Sequence, residues 1–341
     1  MNFNEKYRCQ SLDQIKGQNY VVSKLKAIRD NIHKDGNDGD LPHLYFSGPP
    51  GTGKTNMVTA FLKDCFGENW NSNFDEFNAS ETKIDDIREH VIKLADASTI
   101  GDYSTPDGRM FQLPFNIIFF DEIDYLPPKS QAILRRIMEK SARWTRFILS
   151  CNYDFKVIDA LKSRCMCFLF QRLPNDAIVE ILKPIIESEG IQIDSKAIEL
   201  IGVYSKGDAR KAQNILQKAA LCGFVDEMEV KKASNYVFCW TKDGKEINYF
   251  DTKLLEKAVT IEDSEYNKGW REIDNILWGL YNNGLSGTQI LINIFDSVVK
   301  EEDMPIPIKR KLLSSIGYCM RDLSLSDDQL YTIKMWLRSV K

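Results

Sequence analysis

The 341-residue chain contains no apolar run of the ~18–20 residues that a helical membrane span requires. Its first residues, MNFNEKYRCQ, are polar where a secretory leader would need an apolar centre, so a soluble, intracellular protein with no membrane partner is expected. Neither sign of charge dominates. The 45 Lys and Arg against 49 Asp and Glu leave a net charge of −4, so bulk electrostatics give no reason to bind nucleic acid and any such role needs a local patch. The eight cysteines, at 9, 65, 151, 165, 167, 222, 239 and 319, include no CxxC pair, and His33, His43 and His90 form no HExxH or related spacing. A metal-binding framework is therefore not expected, and the cysteines read as small buried hydrophobes in a reducing compartment. Cys165 and Cys167, the one close pair, are spaced to share one face of a strand.

What is present is an alternation of short apolar runs with amphipathic stretches. Residues 43–47 (HLYFS) read as a buried strand, 54–66 as a helix, 74–78 as a strand and 84–95 as a helix. The segment 96–114 holds Gly101, Pro106, Gly108 and Pro114 and reads as a loop or insertion. Then come the strand NIIFFDE, a helix over 129–140 with Ile133, Leu134, Ile137 and Met138 on one side, and strands at 146–151 and 166–170 flanking a helical segment near 155–162. Such alternation predicts a parallel sheet covered on both faces. From Pro174 onward the pattern is helical, at 175–189, 195–205, 208–222 and 227–237. The polar stretch TKDGKEINYFD (241–251) reads as a linker, followed by helices near 253–262, 267–282, 286–301, 307–322 and 326–339. The expected organisation is an α/β domain over 1–170, a small all-α domain over 171–240 and an all-α domain over 241–341.

The chemistry is concentrated in Gly48-Pro49-Pro50-Gly51-Thr52-Gly53-Lys54-Thr55, a G-x4-G-K-[ST] string between a strand and a helix. Glycines let the backbone curl so that its N–H groups surround phosphates, and the helix N-terminus adds partial positive charge. Lys54 is placed to reach the β- and γ-phosphates, and the Thr55 hydroxyl to ligate Mg²⁺. The second element is Asp121-Glu122 at the carboxyl end of the strand Ile117–Phe120, where α/β sheets place their sites. Asp121 would hold the metal shell and Glu122 would polarise the attacking water of an ATPase. Asn152 ends the strand FILSC and could orient that water or simply form a turn. Arg164, in SRC, and Arg210, in GDAR, are candidates for neutralising transition-state charge. Taken alone, each arginine reads as a surface residue.

The order of these motifs resembles the replication factor C small subunits of archaea, eukaryotes and their viruses, which are AAA+ sliding-clamp loader ATPases. The likeness is dense from residue 3 to about 220, through FNEKYR, IKGQ, PHLYFSGPPGTGKT, FNASETKIDDIR, FFDEID, LRRIMEKSARWTRFILSCNY and SRC. Beyond 220 only the helical character matches. The resemblance implies a P-loop NTPase domain, a helical lid and a helical collar, with five subunits in a spiral that include one larger partner. It implies ATP and Mg²⁺ as cofactors, and a sliding clamp and primer–template DNA as partners. Lys54, Thr55, Asp121, Glu122, Asn152 and Arg210 would serve this chain's own nucleotide, with Tyr7, Arg8 and Gln18 near its base. Arg164 resembles an arginine finger inserted into the neighbouring subunit, and Arg135 a residue that couples adjacent sites. Lys83 and Arg88, in a segment that opens a helix, are the DNA-contact candidates.

The sequence departs from the family where Phe3 replaces a tryptophan, Cys9 a proline and Ile123 the alanine of DEAD. None of these removes a catalytic group, so an active subunit is expected. Two alternatives stand beside this one. A branch-migration or helicase-like AAA+ motor would more often end in a winged-helix domain, whereas residues 250–341 read as helical. A mainly architectural subunit would not need the Lys54, Asp121 and Glu122 set.

Overall fold

The computed structural model describes residues 2–34, 41–67, 70–81, 102–104, 110–112, 115–221, 223–234, 239–240, 246–247, 266–282, 285–300, 304–326 and 328–340. In chain order the strands among them are β1 (Leu44–Ser47), β2 (Phe74–Asn78), β3 (Asp102–Ser104), β4 (Met110–Gln112), β5 (Asn116–Asp121), β6 (Thr145–Cys151), β7 (Met166–Leu169), β8 (Cys239–Trp240) and β9 (Glu246–Ile247). Five of them form one sheet in the order β2-β5-β6-β1-β7, and every pairing in it is parallel.

The continuous apolar character of β5 follows from burial on both sides of this sheet. Ile117 and Phe119 join a core with Phe46, Ile148 and the helices Asn19–Ile32 and Lys54–Phe66. Ile118 and Phe120 point the other way, to Tyr45, Leu149 and the buried Leu134 and Met138 of the helix Pro128–Ser141. That helix opens with Pro128, whose fixed φ and missing N–H suit the first helical position. The chain leaves β1, runs to the far edge at β2, returns through β5 and β6, and crosses β1 to β7. The strand order therefore reverses beside β1, which is where sheets of this kind open a crevice at their carboxyl ends.

The chain divides into two compact units, Met1–Ser234 and Asn235–Lys341. The first unit holds the sheet together with the helices Asn175–Glu189, Ser195–Ser205, Ala209–Ala220 and Glu227–Ala233, which share their own core of Leu182, Ile201, Ile215 and Leu216. Phe3 is buried in that core, so the aromatic position of the N-terminal motif is a packing anchor. In the second unit, the helices Tyr266–Asn282, Gly287–Lys300, Ile306–Leu323 and Gln329–Ser339 pack around Ile273, Leu277, Leu291, Ile294 and Leu337. Among the described residues, no helix is long and apolar enough to cross a membrane.

Three sequence expectations need correction. The segment 96–114 is not all loop, because β3 and β4 pair antiparallel with Asp102 opposite Gln112. Pro106-Asp107-Gly108 lies between them in sequence and is a turn signal, and the Gly/Pro content masked two three-residue strands. Likewise the expected linker is not all loop, because β9 lies inside it and pairs with β8, which ends just before it. Third, burial of the cysteines is not uniform. Cys65, Cys151 and Cys319 are buried, Cys9 and Cys165 are half-buried and Cys167 is exposed on the edge strand β7. The expected helices at 84–95 and 253–262 lie outside the described residues.

Candidate active site

Because β6 lies between β1 and β5, the carboxyl ends of three neighbouring strands deliver the P-loop, Asn152 and the acidic pair to one place. A cavity of about 290 Å³ opens there, and its lining includes Gly51, Lys54, Thr55, Asp121, Glu122, Asn152 and Arg210. The P-loop takes its shape from left-handed glycines. Gly51 has φ +73° and lies so close to Asp208 that a Cβ there would sit 1.9 Å from the carboxylate. Gly48 has φ +148° and a Cβ would meet the Phe170 carbonyl oxygen at 2.3 Å. Other side chains at these positions would close the loop or push the lid away.

Lys54 is buried, and its Nζ donates to the carbonyl oxygens of Gly48 at 2.7 Å and Pro49 at 2.9 Å and to Asn152 Oδ1 at 2.8 Å. Burial lowers its pKa, Arg210 pushes the same way, and Asp121 and Asp124 oppose them. The Thr55 hydroxyl donates to Asp121 Oδ2 at 2.8 Å, while Asp121 Oδ1 accepts from the Glu122 N–H at 2.9 Å and from the buried Ser150 hydroxyl. Glu122 itself has φ +57° and ψ +40°, one of two non-glycine residues in this region among those described. Such a conformation is costly for a residue with a Cβ and recurs where a side chain must be aimed. Glu122 lines the cavity at the point where β5 ends.

The lid reaches the loop directly. The helix Ala209–Ala220 begins at Asp208, whose carboxylate accepts from the Lys211 N–H at 2.9 Å, and the Ala209 N–H donates to the Gly51 carbonyl at 2.9 Å. Arg210, the second residue of that helix, thereby lines the same cavity as Lys54 and Asp121. A second, more apolar cavity of about 480 Å³ adjoins the first, with Tyr7, Ile15, Leu173, Ile181 and Pro184 in its lining and Arg8 and Gly53 common to both. Tyr7 ties the N-terminal segment to the end of the helix Asn175–Glu189, donating to Glu189 at 2.6 Å. Gln18 lines neither cavity. It is buried behind the loop, with Nε2 donating to the Gln171 carbonyl at 2.8 Å. Its contribution is to the loop's support.

Arg164 and Arg135 stand outside this cavity lining. Both make ion pairs with Glu139, Arg135 at 3.8 Å, and the second terminal nitrogen of Arg164 donates to the Ala160 carbonyl at 2.6 Å. Lys83 and Arg88 lie outside the described residues. Sequence reasoning missed three groups. Ser150 braces Asp121. Glu76 on β2 lines the same cavity, its pKa raised by burial and by the nearby Asp121. Asp124 is buried, and its Oδ1 accepts from the Asn152 N–H at 3.1 Å. Glu76 is pairable in principle, since it lies on the strand beside β5, opposite Phe119. For Ser150 and Asp124 only their closeness to Asn152 and Asp121 in sequence gave a hint.

Residues 44–173 match the family model described as ATPase family associated with various cellular activities (AAA), so the chain is a nucleotide-binding ATPase. The solved structures it resembles include the Holliday junction branch migration motor RuvB of Thermotoga maritima, with a TM-score of 0.52 and 19% identity over 75% of this chain and 80% of that one. At that identity the likeness is one of fold. Sequence relatives are much nearer. The replication factor C small subunit of Archaeoglobus fulgidus is 37% identical over 92% of this chain and 88% of its own length. That of Thermofilum pendens is 37% identical over 88% of this chain and 83% of its own. With 37% identity over about nine-tenths of its length and an intact nucleotide site, this chain belongs to the replication factor C small subunit family.

Proposed function

We propose that this chain is an ATPase subunit of a clamp loader that opens a ring-shaped sliding clamp and closes it on primer–template DNA, with hydrolysis triggered by DNA and clamp together. The observation that carries the reading is a division of the chemistry. Lys54, Thr55, Asp121, Glu122, Asn152 and Arg210 line one cavity, whereas Arg164 is held away from it on Glu139. A complete set for phosphoryl transfer needs a charge-neutralising finger, and an arginine that cannot serve its own site is suited to a neighbour's.

Within the cavity, the P-loop N–H groups and Lys54 would hold the phosphates, and the apolar neighbouring cavity beside Tyr7 would take the base. The Thr55 hydroxyl and the Asp121 carboxylate, in contact at 2.8 Å, are hard oxygen donors that fit Mg²⁺. That ion would neutralise phosphate charge. Glu122 is aimed to accept a proton from, or orient, the attacking water. Asn152, already on Lys54, reports the terminal phosphate, and Arg210 brings the lid onto it. Arg135 would link the site to the neighbour.

Assembly is supported by the second unit. On the helix Gly287–Lys300, Ile292, Phe295 and Val299 fall at i, i+3 and i+7 and are 40%, 40% and 45% exposed. A stripe of that kind suits packing against another subunit in a ring or spiral of five. The test is the ATPase rate of the purified assembly with and without primed DNA plus clamp. Stimulation by the pair is expected, with Glu122→Gln abolishing it. A rate indifferent to both ligands would refute the loader reading, and full turnover by Glu122→Gln would refute the assigned chemistry.

A further inference from the structure

The arginine proposed as the finger and the arginine proposed to couple adjacent sites share one carboxylate. Glu139 lies on the helix Pro128–Ser141, one turn after Arg135, and its Oε1 pairs with Arg135 Nε at 3.8 Å and also with Arg164 Nη2. Arg164 comes from a different part of the chain, between the short helix Asp159–Lys162 and the edge strand β7. Its other terminal nitrogen is fixed by the Ala160 carbonyl at 2.6 Å. Arg135 Nε is buried and makes no hydrogen bond, so the ion pair to Glu139 is what compensates it. We infer that Glu139 is a positioning residue for catalysis in trans: it gathers Arg135 and Arg164 and holds the finger in the orientation the neighbour's nucleotide requires. The inference rests on the reading of Arg164 as a trans-acting finger.

Two guanidiniums brought together without an intervening anion repel, and an arginine side chain loses considerable rotamer freedom when it is aimed. A single carboxylate removes the repulsion and prepays part of the ordering. A guanidinium has five N–H donors; Arg164 holds three at home, on the Ala160 carbonyl, the Ser163 hydroxyl at 3.4 Å and Glu139, which leaves two for a phosphate. The side chains of Arg164 and Glu139 are 34% and 41% exposed, so the pair contributes little to fold stability. What it supplies is direction, and a group held loosely can exchange its partner when a neighbour's phosphate arrives.

The experiment compares full-length Glu139→Gln with wild type in the reconstituted assembly, alone and on an Arg164→Ala background. Residual rates are followed by single-turnover hydrolysis. Glu139→Gln is expected to lower kcat roughly 10- to 100-fold while KM for ATP and the melting temperature stay unchanged, because misaiming a reacting group costs rate rather than ground-state binding. On the Arg164→Ala background the same change is expected to cost nothing further. If Glu139→Gln leaves kcat intact while Arg164→Ala destroys it, the positioning role is overturned and the trans finger survives. An added loss on the Arg164→Ala background also overturns it, since Glu139 would then act elsewhere. Normal turnover by Arg164→Ala itself removes the finger and this inference together.

Discussion

Gly51→Ala should damage the protein through the lid as well as through the loop. The new Cβ would sit 1.9 Å from Asp208 Oδ1, at a backbone φ of +73°. The left-handed conformation alone costs about 1–2 kcal/mol for a residue with a Cβ. Asp208 must also swing away from the Lys211 N–H, and losing that helix cap costs about 1 kcal/mol more. The sum, about 2–3 kcal/mol, corresponds to a fall of roughly 4–12 °C in melting temperature for a unit of this size. Gly53→Ala is the internal control. Gly53 also has positive φ, at +94°, but no atom lies within 4 Å of its would-be Cβ, so only the backbone term of about 1–2 kcal/mol applies. Both variants are melted without nucleotide, so that steric interference with phosphate plays no part. The decisive measurement adds Asp208→Ala. With the carboxylate already gone, Gly51→Ala should cost less than it does in the wild-type chain, by about 1 kcal/mol. Strict additivity of the two substitutions, or equal damage from Gly51→Ala and Gly53→Ala, would refute the contact as the cause.

Three further predictions concern single groups that are buried or half-buried. Burial and the nearby Arg146 lower the His43 pKa from 6.5 to about 4, and its Nδ1 accepts from the Phe147 N–H at 3.0 Å, which only a neutral ring can do. The unfolded chain then binds the extra proton first, so this contribution is complete above pH 6.5 and is lost as pH falls toward 4. A loss of up to about 2 kcal/mol between pH 7.5 and 5 should appear in melts and be reduced in His43→Asn; identical profiles for the two proteins would contradict it. Gln131 is fully buried and joins three backbone groups, donating to the carbonyls of Leu126 and Lys156 and accepting from the Ile158 N–H. Gln131→Leu leaves all three unpaired and should cost about 2–4 kcal/mol in denaturant unfolding, and a change below about 0.5 kcal/mol would show that the junction is not needed. Asp124→Ala removes the acceptor that holds the Asn152 amide, so kcat should fall about tenfold with KM for ATP little changed, while Asp124→Asn keeps the acceptor and most of the rate. Equal loss in both variants would point to the charge instead.

The strands and their ends were legible because their signals are local. β1 and β5 are short apolar runs closed by glycine or acid, and the helix Lys54–Phe66 follows a string whose glycines have few other uses. Pairing order was not legible. Nothing within residues 145–151 says that β6 lies between β1 and β5, yet that placement is what sets Asn152 against Lys54. Gln131 and Glu139 were missed for a related reason. On a helix that also carries Lys129, Arg135, Arg136 and Lys140, one polar residue looks like another, and only the chain folding back at Lys156–Ile158 and at Arg164 gives these two partners. The pair β3–β4 was missed because proline and glycine outweighed two runs of three residues.

The groups the sequence identified most readily are also those with the least freedom to move. Asp121, Glu122 and Asn152 end strands that are paired on both sides, and Lys54 opens a helix, so backbone hydrogen bonding fixes where each begins. Arg164 and Arg135 are placed differently, by side-chain ion pairs at a partly exposed surface that contribute little to stability. The nucleotide site draws on the sheet for its placement, and the groups proposed to meet a neighbour draw on contacts that can be exchanged. That contrast supports a division in which each chain fixes its own nucleotide and leaves the final charge to be supplied across an interface.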